Sequence, residues 1–408
     1  MSLEKFNQKL KDEIQELEKK GRAKGKEKVI KNVIRFENKK GPRYILEGYE
    51  NKEFIRMNSN SYLSFSLRKE LIQAEVEAAE KFGVGPGAVR FISGTYSPHV
   101  ELESKLADFH SREAGMIFSS AYVTSMGVIA PLTDTNTVII SDELNHNCII
   151  NAIRLSRPAA KEIYKHNDMQ DMQKKIELSL DKGNRLLMVT DGIFSMRGDH
   201  APLDTMKEIC KKYNNSFDDG VIIITDDSHG VGAFGRTGRG VEEYTNTRVD
   251  VLIGTLGKAF GVNGGYVVSS SPIIRYLREH APMYIYSNPI TASEAQTAIK
   301  AVDILNSKQG LTLLENLRKM IKKFRDGVKA IGFKTIDSEH PIVPLVIGDT
   351  TEAIELTTYL NQKGVLVTDI NYPVVPKGED EIRFQITAEH TPQDIDTVLK
   401  ILEDYPDR

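Results

Sequence analysis

Apolar positions follow two rhythms along the chain. At the start, Leu3, Phe6, Leu10, Ile14 and Leu17 recur at three- and four-residue steps. That spacing predicts an amphipathic helix, loosened at its end by Gly21 and Gly25. Tyr44-Ile45-Leu46 and Phe54-Ile55-Arg56-Met57 then fit a short β segment. From about residue 90 to 270 the rhythm changes to short, continuous apolar runs. These are Met116-Ile117-Phe118, Thr137-Val138-Ile139-Ile140, Leu186-Leu187-Met188-Val189-Thr190, Val221-Ile222-Ile223-Ile224-Thr225 and Val251-Leu252-Ile253. Runs this short, bounded by polar or Gly-rich segments, read as buried strands. Between them, Leu102, Leu106 and Phe109, and later Leu203, Met206, Ile209 and Cys210, keep helical spacing.

Strands alternating with helices predict an α/β domain, its mostly parallel sheet covered on both faces. A long helical stretch from Thr291 to about Gly332 follows. It leads to three further runs: Ile342 to Ile347, Val365 to Val367 and Ile382 to Ile386. They read as strands of a smaller α+β C-terminal domain. The organisation expected is therefore an N-terminal helix and arm (1–57), a large domain (58–295) and a small domain (296–408).

Composition narrows the function classes. A formal net charge of −3 gives no electrostatic reason to expect nucleic acid. No apolar run approaches the roughly 18 residues of a membrane span. Acidic residues interleave with the lysines of the first helix, so it reads as a solvated helix packing on the body or on a partner subunit. The two cysteines, Cys148 and Cys210, have no metal-ligand spacing, and neither metal nor disulfide scaffolding is expected. These features fit a cytoplasmic enzyme.

The chemistry gathers at the ends of the runs. Val251-Leu252-Ile253 delivers Lys258 into a loop crowded by Gly254, Gly257, Gly261, Gly264 and Gly265. Such a loop can approach a bulky ligand closely, and a lysine held there away from water can act as an amine nucleophile. The run Val221 to Thr225 ends in Asp226-Asp227-Ser228-His229. A strand ending in Asp, with a lysine on the next strand but one, suits pyridoxal phosphate (PLP): the lysine binds its aldehyde and the aspartate its pyridinium nitrogen. Ser119-Ser120-Ala121-Tyr122 opens a helix after a strand, and the N–H groups of a helix start form an anion site suited to the phosphate.

Asp226-x-x-His229 followed by Gly254-Thr255-Leu256-Gly257-Lys258 resembles the α-oxoamine synthases. These are PLP enzymes of transferase fold type I (aspartate aminotransferase-like) that join an amino acid to an acyl-CoA. The resemblance runs from about Asn58 to the C-terminus. It implies Lys258, His146, Asp226 and His229 as catalytic residues, with His146 stacked on the cofactor ring and His229 on its phenolic oxygen. It gives Ala121, Tyr122, Ser195 and Thr255 as further cofactor contacts. Asn60 and Arg383 would hold the substrate carboxylate. A homodimer with shared active sites is implied too, Ser287 touching the neighbour's cofactor phosphate. Asp199 is expected to fix its loop. His99, His110, His166, His200, His280 and His340 are read as structural or exposed.

Within the family, the segment Tyr372-Pro373-Val374-Val375-Pro376-Lys377-Gly378 with Arg383 is most similar to 2-amino-3-oxobutyrate CoA ligase, a glycine C-acetyltransferase. The loop from Lys258 to Tyr266 is closer to 5-aminolevulinate synthase, and His229-Gly230 to 8-amino-7-oxononanoate synthase. Glycine with acetyl-CoA is the first expectation. A decarboxylating condensation of either other type is the alternative.

Overall fold

The computed structural model describes residues 2–406 except 21, 24, 36–39 and 373. Gly21 and Pro373, both used in the sequence reading, lie outside the described residues. The centre of the molecule is a seven-stranded sheet. Its spatial order is Ala114–Phe118, Gly265–Ser269, Val251–Thr255, Val221–Asp226, Arg185–Asp191, Thr137–Asp142 and Ala160–Tyr164. Only Gly265–Ser269 runs antiparallel to its neighbours; the other pairings are parallel. The strands carrying Asp226 and leading to Lys258 are immediate neighbours, with Asp226 opposite Ile253. The expected intervening strand does not exist, because the chain between them forms turns and the short helix Val241–Tyr244.

Side chains of a strand alternate between faces, and here both faces are buried. Val138, Ile140, Leu186, Met188, Ile223 and Leu252 enter one core. Ile139, Leu187, Val189, Ile224 and Ile253 enter the other. That explains the unbroken apolar runs. Every parallel strand therefore ends, on the same edge of the sheet, in the first polar residues that its run permits.

The long helical stretch is two helices, Ala292–Leu305 and Lys308–Ala330. The Ser307 side chain breaks the path by capping the second through the Gln309 N–H. The first packs on Lys69–Phe82 and Ser97–Phe109, the second on Pro392–Glu403. The working division at 295/296 runs through the first of these helices. A four-stranded antiparallel sheet, in the order Lys334–Thr335, Ile342–Val346, Glu381–Gln385, Asp369–Ile370, forms the C-terminal part. Val365–Leu366 does not join it. Instead this strand pairs in parallel with the N-terminal segment, Val365 opposite Ile55. The buried Leu366 packs with Leu46 and Phe54, which ties the arm to the C-terminal region. On the helix Ser2–Lys19 the predicted apolar stripe faces outward, with Phe6 56% exposed. No helix among the described residues is long and apolar enough to cross a membrane.

Candidate active site

At the polar edge of the sheet a small cavity is lined by Ala121, Tyr122, His146, Ser195, Asp226, His229 and Lys258. Seven residues predicted from five separate stretches thus share one wall. Two glycines make this possible. Gly261 turns the lysine loop at φ 73°, a conformation that side chains resist. At Gly265 a Cβ would come within 2.5 Å of the Ala121 nitrogen, so only glycine lets the helix start approach the neighbouring strand. That helix, Ala121–Ile129, is capped by the Ser120 side chain, which accepts from the Val123 N–H. Its first N–H groups have no partner within the helix, and Ala121 and Tyr122 both line the cavity.

The Lys258 side chain opens partly on the cavity, while its amine is enclosed by protein. Burial lowers it to about 8, with Asp226 and Asp191 opposing and Arg383 assisting. Loss of solvation thus brings the amine close enough to neutral pH for a fraction of it to be free. Asp226 is 4% exposed and held by donors on both oxygens. Ser228 donates to Oδ1 through its hydroxyl (2.6 Å) and its N–H (3.1 Å). The Ser125 hydroxyl donates to Oδ2 at 2.6 Å. Cys148 Sγ lies 3.6 Å from the same oxygen and 3.0 Å from His146 Nδ1. Burial pushes the Cys148 thiol far up, so it keeps its proton and serves as a donor.

His146 caps the helix Asn147–Leu155: its Nδ1 accepts from the Cys148 N–H. Its own N–H donates to Asp191 Oδ2 at 2.8 Å, which fixes the ring at the rim of the cavity. Burial lowers the His146 pKa, Asp226 opposing, so a neutral flat ring faces the space. Burial lowers His229 more strongly, helped by the charges of Lys258 and Arg383. The Tyr62 hydroxyl sits 2.7 Å from His229 Nδ1 and 3.3 Å from Asn60 Oδ1. The single Tyr62 proton serves one of these two acceptors; donated to Nδ1, it leaves the His229 ring proton on Nε2. Behind it, His340 Nε2 contacts the His229 carbonyl at 2.8 Å.

Asn60 and Arg383 meet beside this cavity, Arg383 Nη2 donating to Asn60 Oδ1 at 3.2 Å. Arg383 is buried, its Nε has no partner, and among the described residues it forms no ion pair. A buried guanidinium in that condition costs stability unless an anion meets it. Thr255 lies under the loop rather than in the cavity wall. Its Oγ1 accepts from the Gly257 N–H at 3.1 Å and donates to the Gly264 carbonyl. Ser287 is also outside the cavity of its own chain.

The site contains groups to which the sequence reading gave no role: Tyr62, Ser125, Cys148, Ser228 and Asp191, the last standing where an apolar run turns polar. Asp191 lines the cavity, and burial beside Asp226 holds its carboxyl well above the usual range. The loop bearing Ser195 is fixed by His166, which lies 3.1 Å from Asp142 Oδ1 and 3.1 Å from Asp199 Oδ2. Asp199 thus has the loop-fixing place expected of it. Burial opposes the His166 charge, but the bonds and fields of both carboxylates outweigh it and raise the group to about 9. A raised histidine contributes stability that is complete below its ordinary value near 6.5 and lost as pH rises through about 9. Urea midpoints measured from pH 6 to 10 should therefore diverge. Wild type should lose a stability increment over His166→Gln between pH 7 and 9.5. A constant difference across that range would refute the charged bridge.

Comparison with known proteins bears on the family and the fold. The family model described as "Aminotransferase class I and II" matches residues 52–402. The 8-amino-7-oxononanoate synthase of Thermoanaerobacter pseudethanolicus is 40% identical over 396 residues, 97% of this chain and 95% of that protein. The 8-amino-7-oxononanoate synthase 1 of Bacillus subtilis is 36% identical, over 91% of this chain and 92% of that protein. Among solved structures, "SPT with PLP internal aldimine" superposes with a TM-score of 0.85 at 28% identity, covering 98% of this chain and 97% of that one.

Proposed function

The chain belongs to the aminotransferase class I and II family, among its α-oxoamine synthases, and we propose that it condenses alanine with a dicarboxylic acyl thioester, releasing CoA and CO2. The relatives' product name carries the substrate reading. In 8-amino-7-oxononanoate the amine-bearing C8 and the terminal C9 correspond to the Cα and methyl of alanine without its carboxylate. C1 to C7 correspond to a seven-carbon acyl group ending in a second carboxylate. The first expectation, glycine with acetyl-CoA, has no support in these names; they fit the alternative. A cytoplasmic location belongs to the same proposal.

Pyridoxal phosphate is the cofactor, and the residues fit it. The free N–H groups at Ala121 and Tyr122 suit its phosphate, the Asp226 carboxyl its ring nitrogen and the Lys258 amine its aldehyde. Bound there, it supplies an electron sink for a carbanion at the substrate Cα. The chain's own residues do the rest. With the cofactor bound, Lys258 would serve as the base that takes the Cα proton. Asp226, held by four donors, would keep a proton at the ring nitrogen. His229 would offer Nε2–H to the phenolic oxygen, and His146 would supply a flat neutral ring for the cofactor to lie against. Arg383 and Asn60 fix the carboxylate, so the Cα substituents have one orientation. Forming the bond from Cα to the acyl carbon would break the C–S bond, and CoA would leave with the proton taken from Cα. Loss of CO2 would balance the carbon count, and Cα would take one proton from solvent in its place.

The observation that carries the reading is the unpaired, buried Arg383 beside Asn60, one cavity wall from Lys258. The test is CoA release from a matrix of acyl-CoAs with alanine, glycine and serine. Alanine with pimeloyl-CoA, the seven-carbon dicarboxylic thioester, should give the highest kcat/KM. Preference for glycine with acetyl-CoA would restore the first expectation. Conversion of the cofactor to its pyridoxamine form would indicate aminotransfer.

We also propose a homodimer with shared sites. Ser287 lies outside its own cavity, next to Tyr286, which is 80% exposed, while Val84, Phe91 and Ile92 are 85%, 66% and 68% exposed. A second copy would cover such a surface. Mixing Lys258→Ala chains with chains defective at Ser287 should restore activity, because one site per mixed dimer is then intact. Mixed dimers without recovered activity would place both residues in one site.

A further inference from the structure

The strand Glu381–Gln385 presents alternate residues to the same face, so Glu381 and Arg383 look the same way. Arg383 faces the carboxylate site. Glu381 faces a second cavity of about 60 Å³ that shares Ser195 with the first. Its walls are apolar: Leu144, Phe194, Met196, Val374, Val375 and Pro376. Its polar end holds Arg197, Glu379 and Glu381. The mechanism above uses neither this cavity nor these charged groups.

We propose that this second cavity is the acyl-tail subsite, seating a short dicarboxylic chain whose free carboxylate meets Arg197 and Glu381. The inference rests on the condensation proposed above and names the residues that read its acyl donor.

Three observations support it. The first is continuity. Ser195 lines both cavities, so the second lies directly beside the first, with one residue common to their walls. The second is size. At roughly 10–15 Å³ per water-sized sphere, the space holds about four to six such spheres. That suits a few methylenes and a terminal group, and is too small for a palmitoyl chain. The third is donor supply. Glu381 is 3% exposed, and its Oε1 has no partner. Burial raises the Glu381 carboxyl to about 8, with Arg383 and Arg197 opposing, so at neutral pH it carries a proton to donate. Arg197 uses Nε for Asp199 (2.9 Å) and Nη1 for Glu379 (3.2 Å). One bond goes to each carboxylate, and Nη2 is left for a ligand. A protonated carboxyl and a guanidinium edge are the donors a carboxylate requires.

The experiment compares kcat/KM for pimeloyl-CoA, heptanoyl-CoA and acetyl-CoA in the holoenzyme with alanine. Heptanoyl-CoA has the same chain length without the carboxylate. Wild type should prefer pimeloyl-CoA over heptanoyl-CoA, and Arg197→Gln should cut that ratio at least tenfold. Val375→Phe, which fills the cavity, should lower the ratio of pimeloyl-CoA to acetyl-CoA at least tenfold. Both variants should keep the wild-type cofactor spectrum and KM for alanine, a pattern that a general loss of structure would not give. Wild-type preference for heptanoyl-CoA would overturn the carboxylate end. Ratios unmoved in both variants would overturn the subsite while leaving the condensation standing. No condensation with any thioester would remove the proposed reaction and the subsite together.

Discussion

Lys258→Ala should lower turnover by at least about 10²–10⁴-fold, the range that a positioned general base alone contributes. It should also abolish covalent attachment of the cofactor. Two consequences separate here, because the residue has two roles. Borohydride treatment of wild type should fix the cofactor to the peptide containing Lys258; in the variant it should fix nothing. The cofactor should still load, more weakly, because the helix start at Ala121 and Tyr122, the Asp226 carboxyl and the His146 ring remain. The fold should survive, since Phe260 and Ala259 are fully buried and anchor the loop without the lysine. What changes locally is charge. Asp191 and Asp226 both favour the lysine's charged form, and alanine leaves them facing each other across the cavity. Absorbance of bound cofactor, mass spectrometry after reduction and CoA release together make the check. A label on another lysine, or turnover within tenfold of wild type, would sink the assignment.

The legible part of this site was the part written in strand ends. A parallel sheet buried on both faces needs unbroken apolar runs, so the residue at which a run turns polar marks the functional edge. Asp226, Asp191 and the loop to Lys258 stand at such transitions. Residues that act across long sequence separations left no such mark. Tyr62 reads as part of a polar turn, yet its hydroxyl orients His229, 167 positions away. Ser125 lies inside an apolar helix and supports Asp226 from 101 positions away. Two strands of the central sheet escaped notice for local reasons. Ala160–Tyr164 is the sheet edge and alternates half-exposed with exposed residues before the buried Tyr164. Its sequence, Ala160-Lys161-Glu162-Ile163-Tyr164, does not alternate apolar with polar residues, so the exposure pattern left no signal to read. Gly265–Ser269 begins in a glycine cluster that reads as loop. The partner of Val365–Leu366 was not readable at all, because a two-residue strand carries no record of which sheet it joins.

Arg383→Ala should retain cofactor and lose the amino acid. The guanidinium's carboxylate contact is charge-assisted and worth roughly 1.5–3 kcal/mol, and each 1.4 kcal/mol is a factor of ten. The apparent KM for alanine should therefore rise at least tenfold. The effect should not stop at binding. Arg383 bonds Asn60, Asn60 lies against the Tyr62 hydroxyl, and that hydroxyl meets His229. Releasing one end frees Asn60 and weakens the orientation of both the substrate and the histidine, so kcat should fall as well. Part of the loss is offset in the free enzyme, since a buried guanidinium without a partner is itself costly. The variant should thus be at least as stable to urea as wild type while being a poorer catalyst. That opposition separates a substrate site from a structural one, where stability and activity would fall together. Steady-state kinetics with each substrate varied, alongside a urea titration, reads both. A defect confined to the acyl-CoA, or a lowered urea midpoint with an unchanged KM for alanine, would remove Arg383 from the carboxylate site.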